Sequence, residues 1–208
     1  MQMFLALSRA IDWINESIGK AVGWLILISI FVSAGNAVIR KIAPAYSSNA
    51  WLELQWYLYG AAFMGAAAYT LLENEHIRID LVYGAWSRKV QHWIDLIGHV
   101  LFLMPFTILM VYYLYPYALR SYERGEGSAS FGGLLLWPAK TILLVGFVLL
   151  FFQGISEIIK KIAVMRGLIE DKHAVSGHHV PPEIDEALRA ESGFLAAEKD
   201  DDSRGTRA

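Results

Sequence analysis

The sequence predicts an all-α membrane protein: four transmembrane helices, an N-terminal amphipathic interfacial helix, and a disordered acidic C-terminal tail. Three observations carry this. Hydrophobic residues make up 55 % of the 208 positions and charged residues only 18 %, against roughly 25 % charged in a soluble domain. The charges are segregated, since 10 of the 20 acidic residues lie between Glu170 and Asp202. Four apolar runs also come close to or exceed the roughly 20 residues that a helix needs to cross a bilayer. The first 169 residues hold too few charges to make a water-soluble surface.

The elements follow in order. Over residues 1–18, Met3, Phe4, Leu7, Ile11, Ile14 and Ile18 recur at helical spacing. Ser8, Arg9, Asp12, Asn15 and Glu16 occupy other faces, the pattern of a helix lying in the interface. The first span, about 20–40, has no acid or base between Ala21 and Ile39 and ends at Arg40-Lys41. The second, about 53–73, lies between Glu53 and Glu73, and the third, about 93–119, between Asp95 and Arg120. Pro105 lies inside the third span and predicts a kink there, because the carbonyl one turn earlier loses its donor. The fourth span, about 138–160, starts at Pro138, which suits a first helical position. Its single early charge, Lys140, can snorkel to the headgroups. Residues 1–166 form the membrane domain and residues 167–208 the tail, which Pro181-Pro182 and the run Lys199 to Asp202 mark as disordered.

Helices are the expected spanning form, because lipid offers no partner for an open backbone and these runs lack the alternation of barrel strands. Trp24, Trp51, Trp56, Trp86, Trp93 and Trp137 lie near span ends, where amphipathic rings settle. With four spans, both termini share one side. That side collects Arg9, Lys20, Arg78, Arg88, Lys89, Lys160, Lys161, Arg166 and Lys172, whereas the other has Arg40, Lys41, Arg120, Arg124 and Lys140. The basic excess places both termini in the cytoplasm.

Several functions are excluded. A net charge of −2 offers no basic field for nucleic acid. The chain has no cysteine, so disulfides, thiolate metal sites and cysteine nucleophiles are out. The spans contain almost no ionisable groups, which membrane catalysis or transport would require. His99 lies deep in the third span, seven residues after His92, and His76 stands at the end of the second. These histidines carry the alternative reading, a haem- or quinone-binding anchor subunit of a redox complex. The preferred expectation is no cofactor, no metal and no catalytic residue. The small pairs Ala61/Gly65 and Ala62/Ala66 instead suit close helix contact.

Across residues 11–162 the chain resembles the small membrane subunit of tripartite ATP-independent periplasmic (TRAP) transporters, the DctQ-type family. The matching stretches are Trp51-Leu-Glu-Leu-Gln-Trp-Tyr-Leu-Tyr59, then Glu73-Asn-Glu-His-Ile-Arg-Ile-Asp80. Gly125-Glu-Gly-Ser-Ala-Ser-Phe-Gly-Gly133 and Trp137-Pro-Ala-Lys140 follow, then Gly146-Phe147 and Gln153-Gly-Ile-Ser-Glu157. Val145 departs from the family's pattern, in which proline precedes the Gly-Phe pair. The resemblance implies a bacterial inner-membrane, multi-pass subunit without catalytic activity. It would brace a large permease subunit that takes up an organic acid with sodium ions, delivered by a periplasmic substrate-binding protein. Membrane lipids are the remaining partner.

Candidate partner-interface residues fall into three groups. Glu53, Gln55 and Trp56 lie at the outer mouth of the second span, either fixing it against the large subunit, the preferred role, or docking the binding protein. Ala61 and Gly65 supply the small surface. Glu73, His76, Arg78 and Asp80 combine both charge signs near the cytoplasmic interface and are read as a structural clamp.

Overall fold

The computed structural model describes residues 2–46, 48–73 and 86–169. Helix α1 runs unbroken from Gln2 to Ile42. At about 1.5 Å per residue it is roughly 60 Å long, twice the hydrocarbon thickness of about 30 Å. No break separates the expected interfacial helix 1–18 from the expected span 20–40. No proline interrupts residues 2–42, and a Glu16–Lys20 ion pair of 2.6 Å bridges the junction on an exposed face. The helix stops before Pro44, which opens a 3₁₀ turn over Pro44–Tyr46.

Helix α2 covers Asn49–Leu72. Ser48 caps it by accepting a hydrogen bond of 3.2 Å from the Ala50 amide. Helix α3, Arg88–Gly98, continues through a π-helical turn at His99–Leu103 into α4, Met104–Glu123. The Met104 amide bonds the His99 carbonyl, five residues back. The switch to a wider turn sits immediately before Pro105, which has no amide to continue the ordinary ladder. The third expected span is thus distorted where the proline predicts. Helix α5 covers Trp137–Met165, with Pro138 in its first turn. Gly125 (φ +57°) and Gly167 (φ +68°) close α4 and α5 with paired reverse bonds, Glu126 to Ser121 and Leu168 to Ala163. Both adopt the left-handed conformation that such caps require.

Among the described residues there is no β-strand, only an isolated bridge between Gly127 and Leu135. Three stretches of the described residues are long and apolar enough to cross a membrane: Gln2–Ile42, Lys89–Glu123 and Trp137–Met165. Helix α2 is about 36 Å long by its 24 residues. It falls below them in hydropathy because Glu53, Gln55 and several aromatic and small residues dilute its leucines. The connector at residues 74–85 and the tail from residue 170 lie outside the described residues.

Helix α5 is the hub. It packs against α1, α2, α3 and α4, while α1 lies along α2. Glycines set the closest approaches. A Cβ on Gly146 of α5 would fall 2.6 Å from Met64 Cβ of α2, and one on Gly65 of α2 would fall 2.7 Å from Val22 Cγ1 of α1. Phe106 of α4 meets Phe147 of α5 edge to face at 5.8 Å.

Burial is inverted relative to a water-soluble bundle. The largest fully buried side chains are Gln153, Asn15, Thr107, Ser8, Ser121 and Ser156, whereas Phe31, Phe63, Phe102, Trp56 and Tyr112 are exposed. In water that arrangement is untenable. In lipid it is expected, since the surroundings are as apolar as leucine and the interior is where polar groups find partners.

Candidate functional site

Two polar centres organise the helices. The first joins the N-terminal half of α1 to the C-terminal half of α5. Ser8, Asp12 and Asn15 follow one another at spacings of four and three, and Gln153, Ser156, Glu157 and Lys160 share a matching stripe. Gln153 is fully buried and sits at the centre. Its carbonyl accepts from Asn15 Nδ2 at 2.7 Å, and its amide donates to Asp12 Oδ1 at 3.0 Å and Glu157 Oε1 at 2.9 Å. Ser156 donates to Asp12 Oδ1 at 2.7 Å and lies 2.6 Å from the Ser8 hydroxyl. Lys160 pairs with Asp12 at 3.2 Å and with Glu157 at 2.5 Å. The next residue, Lys161, pairs with Asp95 of α3 at 2.7 Å, tying a third helix to the same end of α5. Both lysines are largely covered, so these pairs have left water and are partly protected from screening.

The seam also fixes which way α1 faces. Ser8 and Asn15 are each 2 % exposed, while Met3, Phe4, Leu7 and Ile14 point outward. Most of the apolar stripe that the sequence assigns to lipid therefore faces outward, although Ile11 of that stripe is buried, and part of the polar stripe is spent on α5.

The second centre is at the opposite end of α5, where the loop between α4 and α5 folds over the start of α2. Glu53 accepts hydrogen bonds from Ser128 Oγ and, at 2.6 Å, from the Leu134 amide. Ser48 donates to the Gly132 carbonyl and Asn49 to the Phe131 carbonyl, each at 2.9 Å, and Tyr57 donates to the Leu135 carbonyl at 2.8 Å. A Cβ at Gly133 would lie 2.7 Å from Glu53 Oε1 and 2.6 Å from Ser128 Cβ, so the loop closes on the carboxylate only because glycine stands there. At the loop's other end Glu126 pairs with Lys140, whose ammonium lies 4.1 Å from the centre of the Tyr117 ring. The hydrogen bond from Lys140 holds the Glu126 carboxyl below the usual carboxylate range.

Replacing Glu53 by alanine removes the acceptor for Ser128 and Leu134 together. The Leu134 amide is expected to lose its protection in hydrogen exchange, while amides in the middle of α5 keep theirs. Unchanged protection at Leu134 would show that the hydrogen bonds from Ser48, Asn49 and Tyr57 hold the loop without Glu53.

The candidate residues are thus distributed as follows. Glu53 lies in this loop clamp. Gln55 is half-buried and its backbone carbonyl accepts a 3.4 Å bond from Ser29 of α1, whereas Trp56 is exposed. Ala61 is half-buried, and Gly65 faces Val22 and Ile18 of α1. Glu73 caps α2, its amide bonding the Tyr69 carbonyl at 2.9 Å. His76, Arg78 and Asp80, the rest of the expected cytoplasmic clamp, lie outside the described residues.

Sequence reading missed the α1–α5 seam. Its signal was present, because polar side chains at helical spacing inside the last apolar span must be satisfied somewhere. Ser128 and Ser130 serve as loop fasteners: Ser128 Oγ bonds Glu53 and accepts from the Ser130 amide. His99 Nδ1 lies 2.6 Å from the Asp95 carbonyl of its own helix. Among the described residues no cluster of three or more His, Asp or Glu side chains is placed to hold a metal ion.

A family model described as "Tripartite ATP-independent periplasmic transporters, DctQ component" matches residues 30–164. That region contains the Glu53 clamp, the α2–α5 glycine contact and the α5 half of the seam. The α1 half, Ser8 to Asn15, precedes it. No curated protein and no solved structure matches the chain.

Proposed function

Because this chain belongs to the DctQ component family of tripartite ATP-independent periplasmic transporters, we propose that it is the non-catalytic scaffold subunit that braces a large permease subunit. The permease carries an organic acid inward with sodium ions, after a periplasmic binding protein has delivered it. The chain sits in the bacterial inner membrane with α2 as a fourth span and both termini in the cytoplasm. Membrane lipids cover the rest of its apolar exterior.

The observation that carries this reading is the use made of the polar groups. In the described helices they tie elements of the chain to one another: the seam joins α1 to α5, Lys161 joins α5 to α3, and Glu53 ties α2 to the loop before α5. A transport path needs polar groups that can exchange partners with a moving substrate. A brace needs the reverse, helices locked together and apolar area turned outward. Trp13, Trp24, Trp56 and Trp93 are exposed on that exterior and supply interfacial anchors that resist a change of tilt.

The test is reconstitution. In sodium-loaded gradients, proteoliposomes holding this chain alone are expected to take up no organic acid, and uptake is expected only with the large subunit and the binding protein present. Sodium-driven uptake by the chain alone would overturn the scaffold role.

A further inference from the structure

Tyrosines on α4 depart from the rule that polar groups turn inward. Tyr112, Tyr113 and Tyr115 are 72 %, 61 % and 60 % exposed, and among the described residues no hydrogen bond satisfies their hydroxyls. The rings of Tyr112 and Tyr113 meet edge to face at 5.3 Å, which holds the two side by side. Pro116, one turn after Tyr112 inside the same helix, has no amide to give to the Tyr112 carbonyl. Residues four apart share a helix face, so the opened carbonyl adds another polar group to the tyrosine face.

Depth makes these groups costly. Tyr122, near the end of α4, meets Trp137 at the start of α5, an aromatic pair of the kind that marks a membrane boundary. Tyr112 and Tyr113 stand ten and nine residues before Tyr122. That places them about 15 and 13 Å along the helix, near the middle of a hydrocarbon core of about 30 Å. Side chains on a helix lean toward its N-terminus, which on α4 is away from that boundary, so these hydroxyls cannot return to the headgroups. Tyr59 of α2 is exposed to a similar degree, at 63 %. Helix α2, however, begins at that boundary, where the loop before α5 folds over it. Its side chains lean outward, and Tyr59 can place its hydroxyl among the headgroups.

A hydroxyl or carbonyl among acyl chains has no partner and is costly there. Lipid therefore covers this face poorly. A membrane helix bearing serine, threonine, asparagine or glutamine at the same depth supplies acceptors for the hydroxyls and a donor for the carbonyl. Side-chain hydrogen bonds of this kind join helices in lipid. The outward residues of α1, among them Ile26, Ile30, Phe31 and Val38, offer a partner nothing that acyl chains do not. A second copy of the chain on the tyrosine face would leave the large subunit only such apolar surface to hold against lipid.

We propose that the tyrosine face of α4 seats one transmembrane helix of the large permease subunit, hydrogen-bonded at mid-bilayer through hydroxyl or carboxamide side chains. This rests on the reading of the chain as a partner of that subunit. It adds the face used and the chemistry of the helix that fits it.

The test co-expresses the chain with its large subunit. A triple variant, Tyr112→Phe with Tyr113→Phe and Tyr115→Phe, removes the three hydroxyls and keeps the rings. Tyr59→Phe is the control. Leu109→Cys, one turn before Tyr112 and 53 % exposed, places a unique thiol beside the face, because the chain has no cysteine. The triple variant is expected to keep the thermal midpoint of the isolated chain while the yield of co-purified large subunit falls at least about fivefold. Tyr59→Phe is expected to keep the wild-type yield. The Leu109→Cys thiol is expected to react with a lipid-soluble maleimide in the isolated chain and to be shielded in the complex. Wild-type yield with the triple variant, or an equal loss with Tyr59→Phe, would overturn the proposal. So would a lower midpoint of the isolated triple variant, which would make the hydroxyls internal contacts. Free reaction of the thiol in the intact complex would assign the face to lipid, and a disulfide between two copies would assign it to self-association. Both overturn the proposal. Failure of the wild-type chain to co-purify with the large subunit is a separate result, and overturns the scaffold reading itself.

Discussion

Replacing Gln153 by leucine is expected to destabilise the protein by about 2–4 kcal/mol. Individual side-chain hydrogen bonds in bilayer proteins average about 0.6 kcal/mol and reach about 1.7, because the unfolded chain in lipid also finds partners. Gln153 makes three, two of them to carboxylates, and charged partners raise the value of each. The removal also strands Asn15 Nδ2, whose acceptor was the Gln153 carbonyl. Asp12 and Glu157 fare better, since Lys160 pairs with both and Ser156 still donates to Asp12. The loss is therefore large without being the full cost of bare buried charge. The double variant Gln153→Leu with Asn15→Leu is expected to recover part of it, because removing both partners leaves no orphan between them. Equilibrium unfolding in mixed micelles, followed by circular dichroism, reads both effects. A loss below about 0.5 kcal/mol for the single variant would mean that the seam contributes little to holding α1 on α5.

Gly146→Val is expected to cost about 3 kcal/mol, the upper end of ordinary overpacking. The added Cβ would lie 2.6 Å from Met64 Cβ and 3.1 Å from the Met64 carbonyl oxygen. A turn of the methionine side chain relieves neither contact, because both involve backbone or the first side-chain atom. Helix α2 must move away from α5, and the loop clamp at Glu53 then resists that movement at one end. Gly60→Ala on α2 is the matched control. Its Cβ would have nothing within 4 Å, so stability is expected to change by less than about 1 kcal/mol, with the sign set by the gain in helix propensity. The same unfolding measurement compares the two. Equal effects at Gly146 and Gly60 would show that glycine acts there through the backbone and not through the closeness of α2 and α5.

What the sequence determined by itself is what depends on local composition and period. Apolar length located the second half of α1, α4 and α5 as membrane helices, Pro138 marked the start of α5, and Pro105 located the distortion before α4. Each is decided within a few residues of chain, since caps, prolines and hydropathy act over one or two turns. The family was legible too, because its short stretches keep their order along the chain.

Tertiary structure alone decided where the polar side chains go. Asp12 and Lys160 are 148 positions apart and Glu53 and Leu134 are 81 apart, so no window of sequence contains either pair. The polar stripe of α1 looked like a face turned to water because helical period gives only the spacing of a stripe, not what lies opposite. In lipid the usual assumption also inverts: apolar groups gain nothing by being inside, and polar groups must be. Gln153 and Asn15 consequently hold the centre of the bundle while Phe102 and Trp56 face out. The same logic explains the glycines. Gly65, Gly146 and Gly35 are alike in sequence, and only the packing of α1, α2 and α5 shows that the first two are filled by neighbours and the third is open.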